Sequence, residues 1–279
     1  MAFRLAAIQD RAVLIADGGV FDLERHSGGR FSADPMAALA RHSELHQVTA
    51  SLPDTADAPL DAAALGVCVP RPQKVFGVGL NYRSHAVESG MELPSAPLVF
   101  TKFPSCLVGP TSDVVLYGPT TDWEAELVVV IGTRARDIAA ADAWRAVAGL
   151  TCGQDISERT TQFASKPPHF DLGKSYDTYG PIGPAVVSLD QFANPADLAI
   201  SCDINGERRQ DARTSDLIFD IPQLIAYLSA ICTLEPGDLI FTGTPSGVGA
   251  MSGTFLKAGD TITTTLESIG TLTNRCVAR

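Results

Sequence analysis

Residues 122–132 read DWEAELVVVIG, an acidic segment that leads directly into a run of apolar residues. Side chains in a strand alternate between its two faces, so Glu124 and Glu126 are expected to point the same way. Two carboxylates on one face repel each other, and a hard divalent cation such as Mg²⁺ or Mn²⁺ would relieve that repulsion. Asp155, which follows another short apolar segment, is a candidate third ligand. The alternative is an exposed strand edge whose acidic residues discourage aggregation.

The surrounding sequence is rich in strand-like runs that are separated by Gly, Pro and Asp. The dipeptide Asn205-Gly206 lies between two alternating segments and predicts a β-hairpin. One helix is predicted to begin after the N-cap Asp220, with Pro222 in its first turn, and another over residues 139–150. Many strands, few helices and no regular βαβ alternation indicate an α+β fold that is mainly β.

The density of strand-like segments in the sequence changes near residue 70. Residues 1–70 contain short strand-like pieces, an Ala-rich helical stretch over 35–46 and a turn-rich segment. The denser strand pattern begins at residue 71 and continues to the C-terminus. We therefore predict a small N-terminal domain over 1–70 and a larger domain over 71–279.

Composition excludes several classes of partner. The 279 residues include 21 basic and 32 acidic side chains, a formal net charge of −11, which disfavours nucleic acid and anionic membrane surfaces. No apolar stretch approaches the ~18–20 residues that span a bilayer. The six cysteines form no CxxC pair, which argues against a zinc cluster, and so long a chain does not need a disulfide scaffold. Buried, reduced thiols in a cytoplasmic protein are expected.

A histidine and a glutamate form the second candidate constellation. Residues 81–90 read NYRSHAVESG and follow the strand-like run KVFGVGL. His85 and Glu88 are three residues apart, so on a helical turn the carboxylate can orient the imidazole and stabilise its charge. A general base needs such a partner. The alternative is a surface His–Glu pair, which contributes little energetically.

Two glycine-rich stretches complete the candidate sites. GKSYDTYGPIGP, residues 173–184, predicts a sharply turned loop that positions Lys174, although a solvated lysine is the alternative. GTPSGVG, residues 243–249, follows a strand and could present backbone N–H groups to an anion. It lacks the Lys-Ser/Thr ending of a P-loop, and the chain has no GxSxG elbow of a serine hydrolase.

In this order, these stretches resemble the fumarylacetoacetate hydrolase family. The resemblance extends from about Lys74 to the C-terminus. It rests on NYRSHAVESG, PLVFTKFPSCLVGP, DWEAELVVVIG, CGQDISERTTQF, GKSYDTYGPIGP, EPGDLIFTGTPSGVG and LKAGDTI.

The resemblance implies a mixed-β roll with a small N-terminal α/β domain, a lid over the site, and a homodimer. Three carboxylates would hold Mg²⁺ or Mn²⁺: Glu124, Glu126 and Asp155. Three residues would be catalytic: His85, Glu88 and Lys174. Three would bind substrate: Arg159, Gln162 and Thr244.

The activity implied by the resemblance is metal-dependent chemistry on small oxo acids. We expect hydrolysis of a C–C bond in a β-diketo acid, such as an acylpyruvate, fumarylpyruvate or a 2,4-dioxo sugar acid, because the His–Glu pair can activate water. The same metal site would also suit decarboxylation of oxaloacetate or another 2-oxo diacid, and isomerisation of a 2-hydroxymuconate type of compound. A binding module that sequesters oxo acids would require loss of the dyad or of the ExE pattern, and both are present.

Overall fold

The computed structural model describes residues 1–279. Its strands are β1 (Arg4–Ile8), β2 (Arg11–Ala16), β3 (Gly19–Asp22), β4 (Ala58–Pro59), β5 (Val75–Gly79), β6 (Leu98–Thr101), β7 (Leu107–Val108), β8 (Val114–Leu116), β9 (Thr121–Asp122), β10 (Ala125–Ile131), β11 (Val147–Gln154), β12 (Ser157–Glu158), β13 (Gly180–Val187), β14 (Ala199–Ile204), β15 (Glu207–Arg213), β16 (Leu239–Phe241), β17 (Thr261–Leu266) and β18 (Gly270–Ala278). Its α-helices are α1 (Leu23–His26), α2 (Pro35–Leu39), α3 (His42–Ala50), α4 (Arg83–Ser89), α5 (Arg159–Gln162), α6 (Phe170–Gly173), α7 (Ile221–Ile231) and α8 (Gly249–Ser252). Short 3₁₀ helices cover Ala62–Ala64, Pro104–Cys106, Ala140–Ala146, Leu189–Gln191 and Thr214–Asp216.

An 11-stranded mixed sheet forms the centre of the molecule, in the order β4-β3-β2-β1-β13-β11-β10-β16-β5-β6, with β7 paired to β13. A second sheet of five strands has the order β15-β14-β17-β18-β8, and β12 pairs with β9. Most pairs are antiparallel, while β16 with β5, β13 with β7 and β18 with β8 are parallel. The mainly β, mixed-sheet fold predicted from the sequence is confirmed.

The N-terminal strands extend the large sheet. β1 pairs antiparallel with β13, with Arg4 opposite Val187 and Leu5 opposite Val186. One continuous cluster of 63 buried apolar residues includes side chains from both the N-terminal segment and the rest of the chain. The division of the chain near residue 70 stays a prediction.

The prediction of a helix over residues 139–150 is wrong. A 3₁₀ helix covers Ala140–Ala146, and strand β11 begins at Val147. The strand lies between β10 and β13, which satisfy its backbone hydrogen bonds on both edges. A Cβ on Gly149 would come 2.3 Å from the carbonyl oxygen of Val187, so the strands approach closely here. Pairing with two neighbours outweighs the intrinsic helix preference of the alanines.

Further local predictions are confirmed. Asn205 and Gly206 both have positive φ and connect β14 to β15, as a tight hairpin turn requires. Asp220 caps α7, and its side chain and that of Gln223 form a capping box. All six cysteines are free, and all except Cys232 are buried. No helix has both the length and the apolar character needed to cross a membrane.

Candidate active site

Three carboxylates meet at one end of the β10–β11 pair. Glu124 directly precedes β10, Glu126 is its second residue, and Asp155 directly follows β11. The two strands are antiparallel with Ala125 opposite Gln154, so the start of β10 and the end of β11 lie side by side. Carboxylate oxygens of the three residues lie within 4.8 Å of one another, and all three side chains are buried.

The surroundings of the triad shift the pKa values of Glu126 and Glu124 in opposite directions. Burial and the negative charges of Asp155 and Glu124 raise the pKa of Glu126 well above its usual value. Burial also favours the neutral form of Glu124, but the charges of Lys174 and Arg159 outweigh it and hold its pKa at about 2. Three buried carboxylates in contact form a hard oxygen donor set, which fits a divalent cation such as Mg²⁺ or Mn²⁺. Glu124, Glu126 and Asp155 would hold that ion.

Lys174 lies against the triad. It follows α6, and its Nζ donates to Glu124 Oε2 and Asp155 Oδ2, each at 2.7 Å, and to Ser157 Oγ at 2.8 Å. The side chain is almost fully buried. The alternative interpretation of Lys174 as a solvated lysine is therefore wrong. Its ammonium group lies against two carboxylates of the triad.

A second buried lysine, Lys102, was missed at the sequence level. It lies just beyond β6, and its Nζ donates to Asp155 Oδ1 at 2.7 Å, to the Tyr179 carbonyl at 3.1 Å and to the Lys174 carbonyl. Burial by itself lowers the pKa of Lys102, but the Asp155 carboxylate outweighs it and the pKa is raised. Lys102 thus connects one member of the triad to the backbone of the active-site lysine. A charged residue inside the apolar run PLVFTKF was the available signal.

Arg159 and Gln162 lie on the short helix α5 beside the triad. The Arg159 guanidinium donates twice to Asp122 Oδ2, at 2.9 and 2.7 Å, and lies 2.7 Å from Glu124 Oε1. Burial lowers the pKa of Arg159, but Glu124 and Asp122 outweigh this and raise it. Its NH1 donates to Gln162 Oε1 at 2.9 Å. This hydrogen bond therefore fixes the positions of the two predicted substrate-binding side chains relative to each other.

Asp122 is a further residue whose role the sequence did not reveal. Besides Arg159, its carboxylate accepts hydrogen bonds from the backbone N–H groups of Gly249, at 2.7 Å, and Ala250, at 2.9 Å. It is fully buried. Asp122 therefore connects the guanidinium of Arg159 to the end of the GTPSGVG loop. Its position in the DWEAE motif was visible in the sequence, but its partners lie 37 and more residues away.

Helix α4 brings the histidine and glutamate to the site. Gly90 ends the helix in the left-handed conformation that is typical of a helix C-terminus. His85 Nδ1 lies 3.2 Å from Glu88 Oε2, and the Glu88 carboxylate also accepts a hydrogen bond from the Gly247 N–H at 3.0 Å. The start of this segment is anchored by Asn81, whose side-chain amide donates to the Thr242 carbonyl at 2.7 Å. Glu88 thus orients the imidazole and connects α4 to the GTPSGVG loop.

Thr244 occupies that loop directly after β16. Its hydroxyl donates to the Ala125 carbonyl at 2.9 Å and accepts a hydrogen bond from Gln210 at 2.8 Å. The neighbouring Gly243 N–H donates to Glu126 Oε2 at 2.7 Å. Gly243 has a φ of +105°, and a Cβ there would lie 2.8 Å from that of Asn81, so only glycine suits this turn. The loop therefore holds Glu126 through one backbone N–H group.

A cavity of about 310 Å³ brings these residues together. Six of the nine predicted site residues line it: His85, Glu124, Arg159, Gln162, Lys174 and Thr244. Glu126 and Asp155 are buried, and their carboxylate oxygens lie within 4.8 Å of each other and of Glu124. Glu88 lines a neighbouring open groove. The structure thus places all nine predicted residues in one region.

Replacing Lys102 by methionine should destabilise the metal-free protein more than the Mg²⁺-loaded one. Removal of one member of a buried ion pair costs about 3–5 kcal/mol, because the other charge remains buried without its partner. A bound cation would compensate part of the charge on Asp155, so Mg²⁺ should reduce the loss. Denaturant unfolding with chelator and with Mg²⁺ measures both values. The exposed Lys257→Met is the control and should change stability by less than about 0.5 kcal/mol. Equal losses with and without Mg²⁺ would mean that Lys102 serves packing alone.

The fold and the site together define an enzyme with an acidic centre inside a cavity of substrate size. Comparison with known proteins agrees with this class. The chain belongs to the fumarylacetoacetate hydrolase family, because the model of the fumarylacetoacetate (FAA) hydrolase C-terminal region matches residues 74–277.

Relatives within this family carry out different reactions. The human mitochondrial oxaloacetate tautomerase FAHD2A is 43% identical over 213 residues, which cover 75% of this chain and 68% of that protein. Maleylpyruvate hydrolase from Sphingobium sp. SYK-6, solved with manganese(II) and pyruvate, is 31% identical with a TM-score of 0.82, and covers 99% of each chain. The 2-hydroxyhepta-2,4-diene-1,7-dioate isomerase from Mycobacterium marinum is 30% identical with a TM-score of 0.77, also over 99% of each chain. Membership of the family therefore leaves the reaction to be argued from the site.

Proposed function

We propose that this protein is a divalent-metal-dependent hydrolase that cleaves a C–C bond in a β-diketo acid of the acylpyruvate type. The observation that carries the proposal is the position of His85. Its imidazole lines the same cavity as Glu124, Arg159 and Lys174, while Glu88 holds Nδ1. The second ring nitrogen, Nε2, is thus the one available to a water molecule in the cavity.

The side chains suit each part of this reaction. Mg²⁺ or Mn²⁺ in the acidic triad would act as a Lewis acid on the 2-oxo group of the substrate. His85 takes a proton from water, and the resulting hydroxide adds to the distal carbonyl carbon. The bond between that carbon and its neighbour then breaks, and its electron pair stays with the pyruvate half, which takes up a proton. Glu88 stabilises the imidazolium, and Lys174 and Arg159 lie where they stabilise negative charge.

A second candidate is keto–enol tautomerisation of oxaloacetate. The similarity to the human tautomerase, at 43% identity, favours it. This reaction moves a proton between carbon and oxygen and needs no attacking water, so His85 would act only as a proton carrier. Decarboxylation of a 2-oxo diacid and isomerisation of a hydroxymuconate would use the same site, and neither needs an attacking water.

A panel of substrates distinguishes these reactions. We expect the Mg²⁺-loaded protein to convert acetylpyruvate to one equivalent of pyruvate, measured by a coupled assay, and to act more slowly on fumarylpyruvate, oxaloacetate and a hydroxymuconate. Protein treated with a chelator is the control for background hydrolysis. Rapid decay of enol-oxaloacetate absorbance without pyruvate release from any diketo acid would favour the tautomerase. Binding of oxo acids without any turnover would indicate a sequestering module.

The proposal also covers the compartment, the oligomeric state and the metal ion of the enzyme. We infer a cytoplasmic homodimer with Mg²⁺ or Mn²⁺ as the resident ion, as the family resemblance implied. The six free and mostly buried thiols support a reducing compartment. Sedimentation equilibrium tests the dimer, since a monomer at micromolar concentration would contradict it.

A further inference from the structure

The cavity is divided into a charged inner part and an apolar outer part. Glu124, Arg159 and Lys174 form the inner part; Glu124 and Lys174 are buried, and Arg159 is partly buried. Six apolar side chains line the outer part: Met91, Leu98, Phe163, Phe170, Val248 and Met251. Four of these six are about half exposed, so the outer part presents several large apolar side chains to solvent at one place. A cluster of exposed apolar side chains that continues directly from a polar site marks the position of an apolar ligand group.

These apolar side chains come from separate parts of the chain and support one another. Leu98 belongs to β6, Phe163 follows α5, Phe170 begins α6, and Met251 lies on α8. The rings of Phe163 and Phe170 pack edge to face with centroids 5.8 Å apart. Leu98 and Phe170 both press on Gly79, where a Cβ would lie 2.6 Å from Leu98. The outer wall is therefore a shaped surface that several elements build together.

The outer part of this cavity contains no unpaired cation. Arg208 and Arg209 line the neighbouring groove that shares Val248 and Met251, and they pair with Asp203 and Glu207 respectively. The positively charged residues that line the cavity are Arg159 and Lys174, and both already contact carboxylates of the inner part. His85 is held by Glu88. A substrate with a second carboxylate at its far end would thus place that charge against apolar walls, where desolvation is costly. An apolar tail would instead gain from burial.

We propose that the enzyme selects oxo acids whose far end is an uncharged apolar group, and discriminates against dicarboxylates of the same length. This inference rests on the proposed function, because it assumes that the 2-oxo acid head binds at the charged inner part. It identifies Leu98, Phe163 and Met251 as specificity-determining residues. The substrate class is therefore an acylpyruvate with an alkyl or aryl acyl group.

Binding measurements test the selection without requiring turnover. The compounds 5-methyl-2-oxohexanoate and 2-oxoglutarate share the same head and differ only in an isopropyl group in place of a carboxylate. Calorimetry on the Mg²⁺-loaded protein should give a Kd at least about tenfold lower for the branched compound, since burial of two methyl groups replaces desolvation of a charge. Equal affinities or tighter binding of 2-oxoglutarate would overturn the proposal.

A charged substitution in the outer wall should change this preference. Phe163→Arg introduces a guanidinium that can pair with the far carboxylate, and the ratio of the two Kd values should move by at least about tenfold toward 2-oxoglutarate. Phe163 is about half exposed, so the variant is expected to fold, and Met251→Arg provides a second test. Ile231→Arg, on an exposed position of α7 outside the cavity, is the matched control and should leave the ratio unchanged. A ratio that fails to move in both cavity variants would contradict the assignment.

Turnover separates this inference from the proposed function. The matched substrates are 7-methyl-2,4-dioxooctanoate and 2,4-dioxoheptanedioate, which again differ only in isopropyl against carboxylate. A higher kcat/KM for the branched compound supports both statements. Hydrolysis of both with preference for the dicarboxylate overturns the selection and leaves the hydrolase intact. Hydrolysis of neither, with the binding preference present, overturns the hydrolase and leaves the selection intact.

Discussion

Replacing Glu126 by glutamine is expected to lower the affinity for Mg²⁺ by more than the ~10–100-fold typical of losing a partner outside the ligand set, and to abolish hydrolysis. Glu126 is one of three carboxylates that would hold the ion, and its oxygen atoms face the remaining two within 4.8 Å. Glutamine keeps the shape but removes the charge. Exhaustive chelation of the unmodified protein should have the same effect on activity, with Mg²⁺ or Mn²⁺ restoring it and Zn²⁺ restoring it poorly.

The stability of the Glu126→Gln protein separates loss of the ion from loss of the fold. Burial and two neighbouring carboxylates already disfavour the charged form of Glu126, so an amide should leave the metal-free protein at least as stable as before. Asp238→Asn is the matched control, because Asp238 is equally buried but pairs with Lys74 away from the triad. It should lower stability and leave Mg²⁺ affinity unchanged. Calorimetry and denaturant unfolding give both values, and full activity after chelation would contradict the metal site.

Replacing His85 by alanine should reduce C–C hydrolysis by the ~10²–10⁴-fold typical of removing a general base. Mg²⁺ binding should be unchanged, because Glu124, Glu126 and Asp155 would hold the ion without the imidazole. Decarboxylation of oxaloacetate, which needs neither an attacking water nor a proton carried by His85, should be affected much less. The measurement is a rate constant for an acylpyruvate and one for oxaloacetate, with metal binding followed by calorimetry.

Glu88→Gln provides the comparison for this prediction. The amide oxygen can still accept the hydrogen bond from Gly247 N–H and orient His85, so the connection between α4 and the GTPSGVG loop should survive. Its lack of charge removes the stabilisation of the imidazolium, and the loss of hydrolysis should be smaller than for His85→Ala. Equal losses on both substrates in the His85→Ala protein would mean that His85 serves substrate binding or closure of α4, and hydrolysis would lose its support over decarboxylation.

Local chemistry made much of this site predictable. The alternation of a strand indicated that Glu124 and Glu126 share a face, and helical spacing indicated that His85 and Glu88 are neighbours; both pairs lie within a few residues of the chain. The capping box at Asp220 is equally local. Family resemblance was needed to assign Lys174 a catalytic role and to add Arg159, since nothing near them in the sequence reveals the carboxylates that they contact.

Contacts between segments that are distant in sequence account for the main differences between the sequence predictions and the structure. Residues 147–150 became a strand instead of the end of a helix because β10 and β13 lie on either side of them. Lys102 contacts Asp155, 53 residues further along the chain, and a lysine within an apolar run gives no indication of which carboxylate it meets. The outer wall of the cavity is also assembled from segments that are distant in sequence.

The sequence by itself determined the mainly β class, the family, and most of the acidic, basic and histidine side chains from which the site is built, because strand alternation, helical spacing and motif order are properties of neighbouring residues. Only the tertiary structure decided which of these charges are paired, how deeply they are buried, and that the charged inner part continues into an apolar outer wall. Burial and pairing depend on atoms brought close by folding, and the free energy of a charge changes greatly with both. The preference for an apolar substrate tail follows from that arrangement in space.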